Sequence, residues 1–277
     1  MEPSKRTTTT TVALVVCITG TSVPPPAQAQ PVLYVAEAAT QELYTVDPVD
    51  ASATLVGPFG VGGYMAGLAY DAANDILYGT TTATDALFSV DRSTGSATLI
   101  GTLGVGFTHG LAFNDLTGKL YGTYGELGGD SFYEIDTSTG EASLIGHTGF
   151  AHVGGLSFHP ETHVLYGATG GPPGEEYFLI TVNTSTGQGT LIAETHRLSG
   201  LAFHPENHVL YGVDNGGSSD PDSLYTVDIA SGDSTLVGET GLANNLGLAF
   251  VPEPTALSLL ALGGLAITRR TRRLGRS

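Results

Sequence analysis

The stretch LGLAFVPEP, residues 246–254, decides the fold of this chain. GLAF or a close variant of it occurs four times upstream, and each of those copies opens a block of about 45 residues. In the last copy the block stops after one strand's worth of sequence and continues into a proline-flanked glutamate, Glu253. The last copy is therefore the first strand of a repeat unit that has no other strands after it.

The complete units follow one plan. Their GLAF-like segments begin at Gly67, Gly110, Gly155 and Gly200, and Gly247 begins the isolated one, so that the spacings are 43, 45, 45 and 47 residues. A second strand follows in each complete unit, marked by the tyrosines Tyr78, Tyr121, Tyr166 and Tyr211. The third strands read ALFSVD, SFYEID, FLITVN and SLYTVD, and the fourth read SATLIG, EASLIG, QGTLIA and DSTLVG. Self-similarity at this period is typical of repeat folds.

Each unit thus predicts four short strands of alternating apolar and polar residues, joined by tight turns. The third strands end at Asp91, Asp136, Asn183 and Asp228, where a short polar side chain can cap the amides of a turn and a following glycine can adopt positive φ. Four antiparallel strands in 40–50 residues are the pattern of a β-propeller blade. The sequence therefore predicts an all-β propeller of four-stranded antiparallel blades.

The start of the body supplies the strands that the last GLAF segment lacks. VLYVA (32–36), ELYTVD (42–47) and SATLVG (52–57) match the second, third and fourth strands of the later units. We predict that Leu246–Phe250 joins residues 32–57 as their inner strand, which gives five blades over residues 30–251. An open array would leave an apolar inner strand and a sheet edge unpaired, and both favour aggregation.

These repeats resemble the YVTN and NHL-type propellers. The resemblance rests on the GLAF-like inner strand, the tyrosine-bearing second strand and the glycine-bearing turn before the fourth strand. A GH…WD pattern is absent from the units, so they are not WD repeats. Propellers host many unrelated activities, and this resemblance implies the fold and no particular chemistry.

Charge and cysteine content exclude some classes of protein. Of the 27 acidic residues all but Glu2 and Glu253 lie in the body, where the only basic side chains are Arg92, Lys119 and Arg197. A surface this acidic repels nucleic acid, because binding DNA or RNA rests on lysine and arginine neutralising phosphates. The one cysteine, Cys17, precedes the body, so no disulfide can form within it.

Residues 1–29 have the pattern of a cleaved secretory signal. Lys5 and Arg6 form a basic start, an apolar stretch follows near residues 12–18, and Ala27 and Ala29 stand in the A-x-A spacing that signal peptidase recognises. We expect cleavage after Ala29 and export of the mature chain.

Residues 252–277 form a second targeting segment in three parts. The motif Pro252, Glu253 and Pro254 is followed by an apolar run over residues 256–267 and then by the arginines Arg269, Arg270, Arg272, Arg273 and Arg276. At about 1.5 Å per residue a helix of that run spans roughly 18 Å, less than the roughly 30 Å hydrocarbon core of a bilayer. The flanking threonines and snorkelling arginines would help it insert, with the arginines on the cytoplasmic side.

This three-part order resembles the PEP-CTERM sorting segment of exported bacterial proteins. The resemblance implies a short transmembrane helix, recognition by an exosortase-type membrane protease, cleavage near the PEP motif, and delivery from the inner membrane to the cell surface or an extracellular matrix. An ordinary C-terminal membrane anchor is the alternative interpretation of the same residues.

Topology predicts where a ligand would bind. In an up-and-down blade the connections between second and third strands lie at one end of the ring, and here three of them are long and variable: residues 124–131, 169–177 and 213–223. Binding residues of rigid scaffolds concentrate on such loops. We expect a ligand or cation face at this mouth of the central channel, formed by His109, His152, His196, Glu126, Asp130, Glu175, Asp214 and Asp222. Carboxylate and carbonyl oxygens would suit Ca²⁺.

Four further histidines occur in the turns HPETH (159–163) and HPENH (204–208) at the opposite end of the blades. A metal pair is one interpretation, and turn formation with φ preset by Pro160 and Pro205 is the favoured one. Motifs for nucleophilic catalysis and for phosphate binding are absent from the sequence. Two functions stay open: a non-enzymatic module that binds glycans, proteins or cations, and an extracellular hydrolase or lyase that acts on sugars or lactones with a metal at the mouth.

Overall fold

The computed structural model describes residues 30–252 without residues 107, 126–129, 171–175 and 215–220. The predicted signal sequence, the apolar run after the PEP motif and the terminal arginines lie outside the described residues. Within the described part of the chain no helix is long and apolar enough to cross a membrane.

Twenty strands form five four-stranded sheets, which we number as blades in chain order. Blade 1 contains β20 (Asn245–Val251), β1 (Val32–Glu37), β2 (Glu42–Val46) and β3 (Ala53–Pro58). Blade 2 contains β4 (Met65–Asp71), β5 (Ile76–Thr81), β6 (Ala86–Val90) and β7 (Ala97–Thr102). Blade 3 contains β8 (Thr108–Asn114), β9 (Lys119–Tyr124), β10 (Ser131–Ile135) and β11 (Ala142–His147). Blade 4 contains β12 (Val153–Phe158), β13 (Leu165–Thr169), β14 (Phe178–Val182) and β15 (Gly189–Glu194). Blade 5 contains β16 (Gly200–Phe203), β17 (Leu210–Val213), β18 (Ser223–Val227) and β19 (Ser234–Glu239).

The blades form a closed ring around a central channel. Every pair of neighbouring strands within a blade is antiparallel, and the first strand named above for each blade is the innermost. These inner strands contact one another in cyclic order: β20 with β4, β4 with β8, β8 with β12, β12 with β16, and β16 with β20. The prediction of an all-β, five-bladed propeller with four-stranded antiparallel blades is confirmed.

Blade 1 is built from both ends of the body. β20 pairs antiparallel with β1, with Val251 opposite Val32 and Ala249 opposite Tyr34. A register shift at Ala36 marks a β-bulge near the far end of the pair. The prediction that the isolated GLAF segment is the inner strand of the first blade is therefore confirmed.

The hydrophobic core is divided into five sectors, one between each pair of neighbouring blades. In β20, the innermost strand of blade 1, Leu248 and Phe250 pack in the sector shared with blade 5, while Ala249 and Val251 pack in the sector shared with blade 2. Successive side chains of a strand point to opposite faces, so an inner strand must be apolar on both. The predicted alternation of apolar and polar residues is therefore wrong for the inner strands.

The repeated glycine of the GLAF segment lets neighbouring inner strands approach closely. A Cβ atom at Gly155 would lie 2.8 Å from Leu201 Cγ and 2.9 Å from the Leu201 backbone nitrogen in the next blade. The same close contact, between the glycine of one inner strand and the leucine of the next, recurs around the whole ring. It joins Gly67 to Leu111, Gly110 to Leu156, Gly200 to Leu248, and Gly247 to Leu68. Distances of this size leave no room for a side chain. The glycine and leucine of each segment thus form one interblade contact that is repeated five times.

A second contact between blades joins a turn to an outer strand. Gly140, in the turn before β11, has φ of 80° and faces Gly101 of the preceding blade, and a Cβ at Gly140 would lie 2.8 Å from the Gly101 carbonyl carbon. Asp136 caps this turn, because its Oδ1 accepts the N–H groups of Ser138 at 2.7 Å and Thr139 at 3.1 Å. The predicted Asx caps and positive-φ glycines of these turns are confirmed.

Candidate functional site

The antiparallel order places two kinds of connection at opposite ends of the ring. One end holds the turns between first and second strands and those between third and fourth strands, and we call it the plain face. Its first-to-second turns are residues 72–75, 115–118, 159–164 and 204–209. The other end, the variable face, holds the second-to-third connections, residues 38–41, 82–85, 125–130, 170–177 and 214–222. The three longer ones belong to blades 3, 4 and 5, so the variable face is strongly asymmetric.

The central channel contains a cavity at each end. The cavity at the plain face has a volume of about 140 Å³ and is bordered by Pro160, Pro205 and Pro252. The cavity at the variable face has a volume of about 150 Å³. The leucines of the GLAF segments line the plain-face cavity and are almost fully buried: Leu68, Leu111, Leu156, Leu201 and Leu248. The middle of the channel is therefore apolar.

The residue just before each GLAF glycine lines the cavity at the variable face. These five residues differ from blade to blade: Ala66, His109, Gly154, Ser199 and Leu246. His152 and Gly170 complete the lining. Burial, with a smaller contribution from His152, lowers the pKa of the His109 imidazole, so the neutral ring is favoured. Two imidazoles and one hydroxyl thus face this cavity, and the residues that the structure describes in its lining include no carboxylate.

Asp130 does not line the mouth, although the sequence predicted it there. Its carboxylate is fully buried and accepts the backbone N–H groups of His152 at 3.0 Å and Val153 at 2.6 Å, both in the following blade. The backbone N–H of Asp130 also donates to the Phe150 carbonyl oxygen at 2.8 Å. The side chain therefore joins blade 3 to blade 4 and holds His152 at the cavity.

Two other aspartates occupy the same place in the repeat, immediately before a third strand. The Asp85 Oδ2 accepts the N–H groups of Val105 at 2.9 Å and Gly106 at 2.8 Å. Asp222 is fully buried, its carbonyl oxygen accepts the Thr240 N–H at 2.8 Å, and its N–H donates to Leu242 at 3.0 Å. The Asp85 carboxylate and the buried backbone of Asp222 thus lie at joints between blades. The repeat position that Asp85, Asp130 and Asp222 share is the sequence signal that could have indicated this role.

We expect Asp130→Ala to lower the free energy of unfolding by about 2–4 kcal/mol, because two buried backbone N–H groups would lose a charged acceptor. Chemical denaturation of residues 30–252 measures this effect. Glu239→Ala, which removes an exposed acidic side chain, is the control for net charge and should change stability little. A variant at Asp130 as stable as the wild type in cation-free buffer would contradict the joint role.

His196 and Asp214 come together away from the channel cavity. The His196 Nε2 lies 3.4 Å from the Asp214 Oδ2, and the imidazole packs in a tilted arrangement against the Tyr225 ring, with 4.4 Å between the ring centroids. The carboxylate is held in place, since its Oδ1 accepts the Ser223 N–H at 2.6 Å. About 43% of the His196 side chain is exposed, against 14% for Asp214. This pair therefore presents an oriented imidazole to solvent.

The predicted ligand face is therefore divided into two places. His109 and His152 lie at the channel cavity, and His196 and Asp214 lie together farther out. Glu126 and Glu175 fall outside the described residues. Among the residues that the structure describes, no group of three or more histidine, cysteine or acidic side chains is placed to hold a metal ion. Of the predicted sorting motif only Pro252 is described, at the rim of the plain-face cavity.

The HPETH and HPENH motifs of the plain face form turns, as favoured from the sequence, and their first histidines cap these turns, which the sequence did not indicate. The His159 Nδ1 accepts the N–H groups of Glu161 and Thr162, each at 3.2 Å. The His204 Nδ1 accepts those of Glu206 at 3.2 Å and Asn207 at 3.3 Å. The first histidine of each motif therefore acts as a cap for its turn, in the place that Asp71 and Asn114 occupy in blades 2 and 3.

Comparison with known proteins agrees with this architecture. No protein-family model matches the sequence, and no curated protein matches it. Among solved structures, a chain of a nidogen–laminin complex is similar with a TM-score of 0.56 and 14% identity, over 79% of this chain and 98% of that one. TolB from Acinetobacter baumannii gives a TM-score of 0.51 and 14% identity, over 83% and 68% of the two chains. A gluconolactonase from Xanthomonas campestris gives 0.50 and 16%, over 78% of each chain. Identities this low establish the fold alone.

Proposed function

We propose that this chain is an exported protein of the cell surface or extracellular matrix, whose propeller is a non-enzymatic binding module. The observation that carries the proposal is the asymmetry of the variable face. Blades 1 and 2 have short second-to-third turns, while longer stretches of sequence join the second and third strands of the neighbouring blades 3, 4 and 5. Binding residues of rigid scaffolds concentrate on such connecting segments.

The use of the carboxylates supports binding by the loops rather than a cation site in the channel. Asp85 and Asp130 accept backbone N–H groups of the joints between blades, and Asp222 is buried at an equivalent joint. Ca²⁺ requires several oxygen ligands, and the described residues that line the variable-face cavity include no carboxylate. Two of the five carboxylates predicted at the mouth, Asp130 and Asp222, instead lie buried at joints between blades.

The position of Pro252 supports an outward orientation of the variable face. The chain leaves β20 at the plain face, where Pro252 borders the cavity. While the C-terminal segment is held in the inner membrane, the plain face turns toward the bilayer and the variable face turns away from it. A glycan or protein ligand would then meet the long connections first.

Loop replacement tests the binding proposal. In the test variant the second-to-third connections of blades 3, 4 and 5 are each replaced by the short turn of blade 2, residues 82–85. We expect this variant to lose binding to purified exopolysaccharide and to glycan arrays, or to isolated matrix proteins, while it keeps its melting temperature. The matched control replaces residues 38–41 of blade 1 by the same turn. Unchanged binding by the loop-replaced variant would contradict the proposal.

The second candidate is an enzyme that acts on sugars or lactones with a metal at the mouth, and the oriented His196–Asp214 pair is the observation that favours it. A cofactor for it would need ligands besides His109 and His152 at the cavity. Calorimetric titration of residues 30–252 with Zn²⁺ and Ca²⁺ separates the two functions. Stoichiometric binding that disappears in His109→Ala, with hydrolysis of a lactone panel, would favour the enzyme over the binding module.

Processing is a separate prediction of the proposal. Signal peptidase and an exosortase-type protease should produce a mature chain that begins near Gln30 and ends near the PEP motif. Mass spectrometry of the protein released from the cell surface measures both ends. A surface-exposed chain that still carries Arg269–Arg276 would contradict the sorting proposal and would leave the binding proposal to its own test.

A further inference from the structure

Two turns of the plain face are capped by imidazoles in place of carboxylates or amides. In each, Nδ1 of the first histidine accepts two backbone N–H groups, in His159 at 3.2 Å and in His204 at 3.2 and 3.3 Å. An imidazole nitrogen accepts a hydrogen bond only while it carries no proton. Both caps therefore require the tautomer that is protonated at Nε2, and both are lost when Nδ1 is protonated.

Both imidazoles also pack against the inner strand of the next blade. The His159 ring lies 4.9 Å from the Phe203 ring of β16, and the His204 ring lies 4.9 Å from the Phe250 ring of β20. Only 9% of His159 and 6% of His204 is exposed. Phe250 belongs to the strand that closes the ring, so the turn at His204 packs directly on the closure.

The charged groups around these imidazoles are few. His159 faces Glu161 and His163 of its own turn and His208 of the next turn, with 5.3 Å between the rings of His159 and His208. His204 faces Glu206 and His208 of its own turn, and Asp47 of blade 1 lines the same surface groove.

Burial is the main cause that lowers the pKa of both imidazoles, and His208 adds to it in each case. The neighbouring glutamates act in the opposite direction, without reversing the shift. The His208 Nδ1 also lies 3.6 Å from the Glu161 Oε2 of the neighbouring turn. Because the Glu161 side chain is 74% exposed, this ion pair contributes little to stability.

We infer that the His159 and His204 turns form an acid-sensitive latch on the plain face, which holds the inner strands of blades 5 and 1 while the imidazoles are neutral. Protonation at Nδ1 would remove the one acceptor that two N–H groups of a turn share, and would place a charge against Phe203 or Phe250. The latch would then open next to β20, the strand that leads to Pro252.

The direction of the pH effect follows from linkage. The folded state binds these protons less tightly than the unfolded state, in which the pKa of histidine is about 6.5. The stabilisation is therefore complete above about pH 6.5 and is lost as the pH falls below it. Hydrogen bonds from their turns lower the pKa of the capping carboxylates Asp91, Asp136 and Asp228 below the usual value of about 4, so these caps stay charged between pH 7 and pH 5.

Thermal unfolding of residues 30–252 between pH 7.5 and pH 5 tests the latch. We expect the melting temperature of the wild type to fall by a few degrees across this range. The double variant His159→Asn, His204→Asn keeps an acceptor at the same position, as Asn114 does in blade 3, and should show a clearly smaller dependence on pH. His147→Asn, at an exposed histidine of β11, is the control and should follow the wild type.

The readout is the pH dependence, so a lower melting temperature of the double variant at all pH values does not affect the conclusion. Equal slopes for the wild type and the double variant would overturn the inference. A long-range ¹H–¹⁵N spectrum of the wild type at pH 7.5 gives an independent check. It should show Nε2–H tautomers for His159 and His204, and a proton on Nδ1 of either ring would overturn the latch at that turn.

Discussion

A chain that ends at Asn244 is expected to be unfolded at 25 °C, whereas a chain that ends at Pro252 should melt like one that ends after Pro254. The eight residues between these ends include all of β20. Without β20, the β1 strand loses one of its two partners, and the sectors between blades 5 and 1 and between blades 1 and 2 open to water.

The expected loss is comparable to the stability of the whole domain. Leu248, Phe250 and Val251 are almost fully buried, and burying such side chains contributes about 1.5–3 kcal/mol each. Their removal alone thus costs roughly 5–9 kcal/mol, before the exposure of Leu33 and Val35 is counted. Domains of this kind have unfolding free energies of about 5–15 kcal/mol.

A circular permutant supplies the matched control for this truncation. Residues 245–251 are placed before Val32 and joined to it by Asn-Gly, and the chain then ends at Asn244. Because Val251 lies opposite Val32 in an antiparallel pair, a two-residue hairpin turn can join them. Circular dichroism and melting should show a folded permutant. A cooperative melt of the simple truncation near the temperature of the longer chain would contradict the closure.

The second large effect is expected at the glycines of the inner strands. Gly155→Ala should lower the unfolding free energy by about 3 kcal/mol and the melting temperature by roughly 10 °C, because the new methyl group would lie 2.8 Å from Leu201 Cγ and 2.9 Å from a backbone nitrogen. Rotation of the leucine side chain relieves the first contact, but relief of the second requires the two blades to separate.

Gly62→Ala is the control for this substitution. Gly62 is exposed, and an added Cβ there would have no atom within 4 Å. Its melting temperature should stay close to that of the wild type. If Gly155→Ala and Gly62→Ala melted at the same temperature, the glycine–leucine contact would not be what sets the spacing of the inner strands.

Much of the fold could be predicted from the sequence because its signals are local and repeated. The spacing of the GLAF segments gave the number of blades, and the match of residues 32–57 to the later units showed which strand was missing. Whether one or both faces of a strand are buried was harder to predict from the sequence. Leu248 and Ala249 are adjacent in β20 but pack in different sectors, and only the ring shows that both sides of an inner strand are buried.

The candidate site was predicted less well, and for a physical reason. A carboxylate on a loop can face solvent or turn inward to accept backbone N–H groups, and the residue type is the same in both cases. Asp130 turns inward to His152 and Val153, which follow it by about twenty residues and belong to another blade. His204 likewise became a turn cap because its Nδ1 reaches the amides of Glu206 and Asn207.

The sequence by itself determined the repeat, the five blades and the closing role of residues 246–250, since these depend on strand pattern and on the count of units. Tertiary structure decided what the polar residues do. It turned Asp130 into a joint between blades, separated the His196–Asp214 pair from the channel histidines, and set His204 against Phe250 of the closing strand. The strand pattern depends on residues that are close in sequence, whereas the partner of a polar side chain depends on which blade the closed ring places beside it.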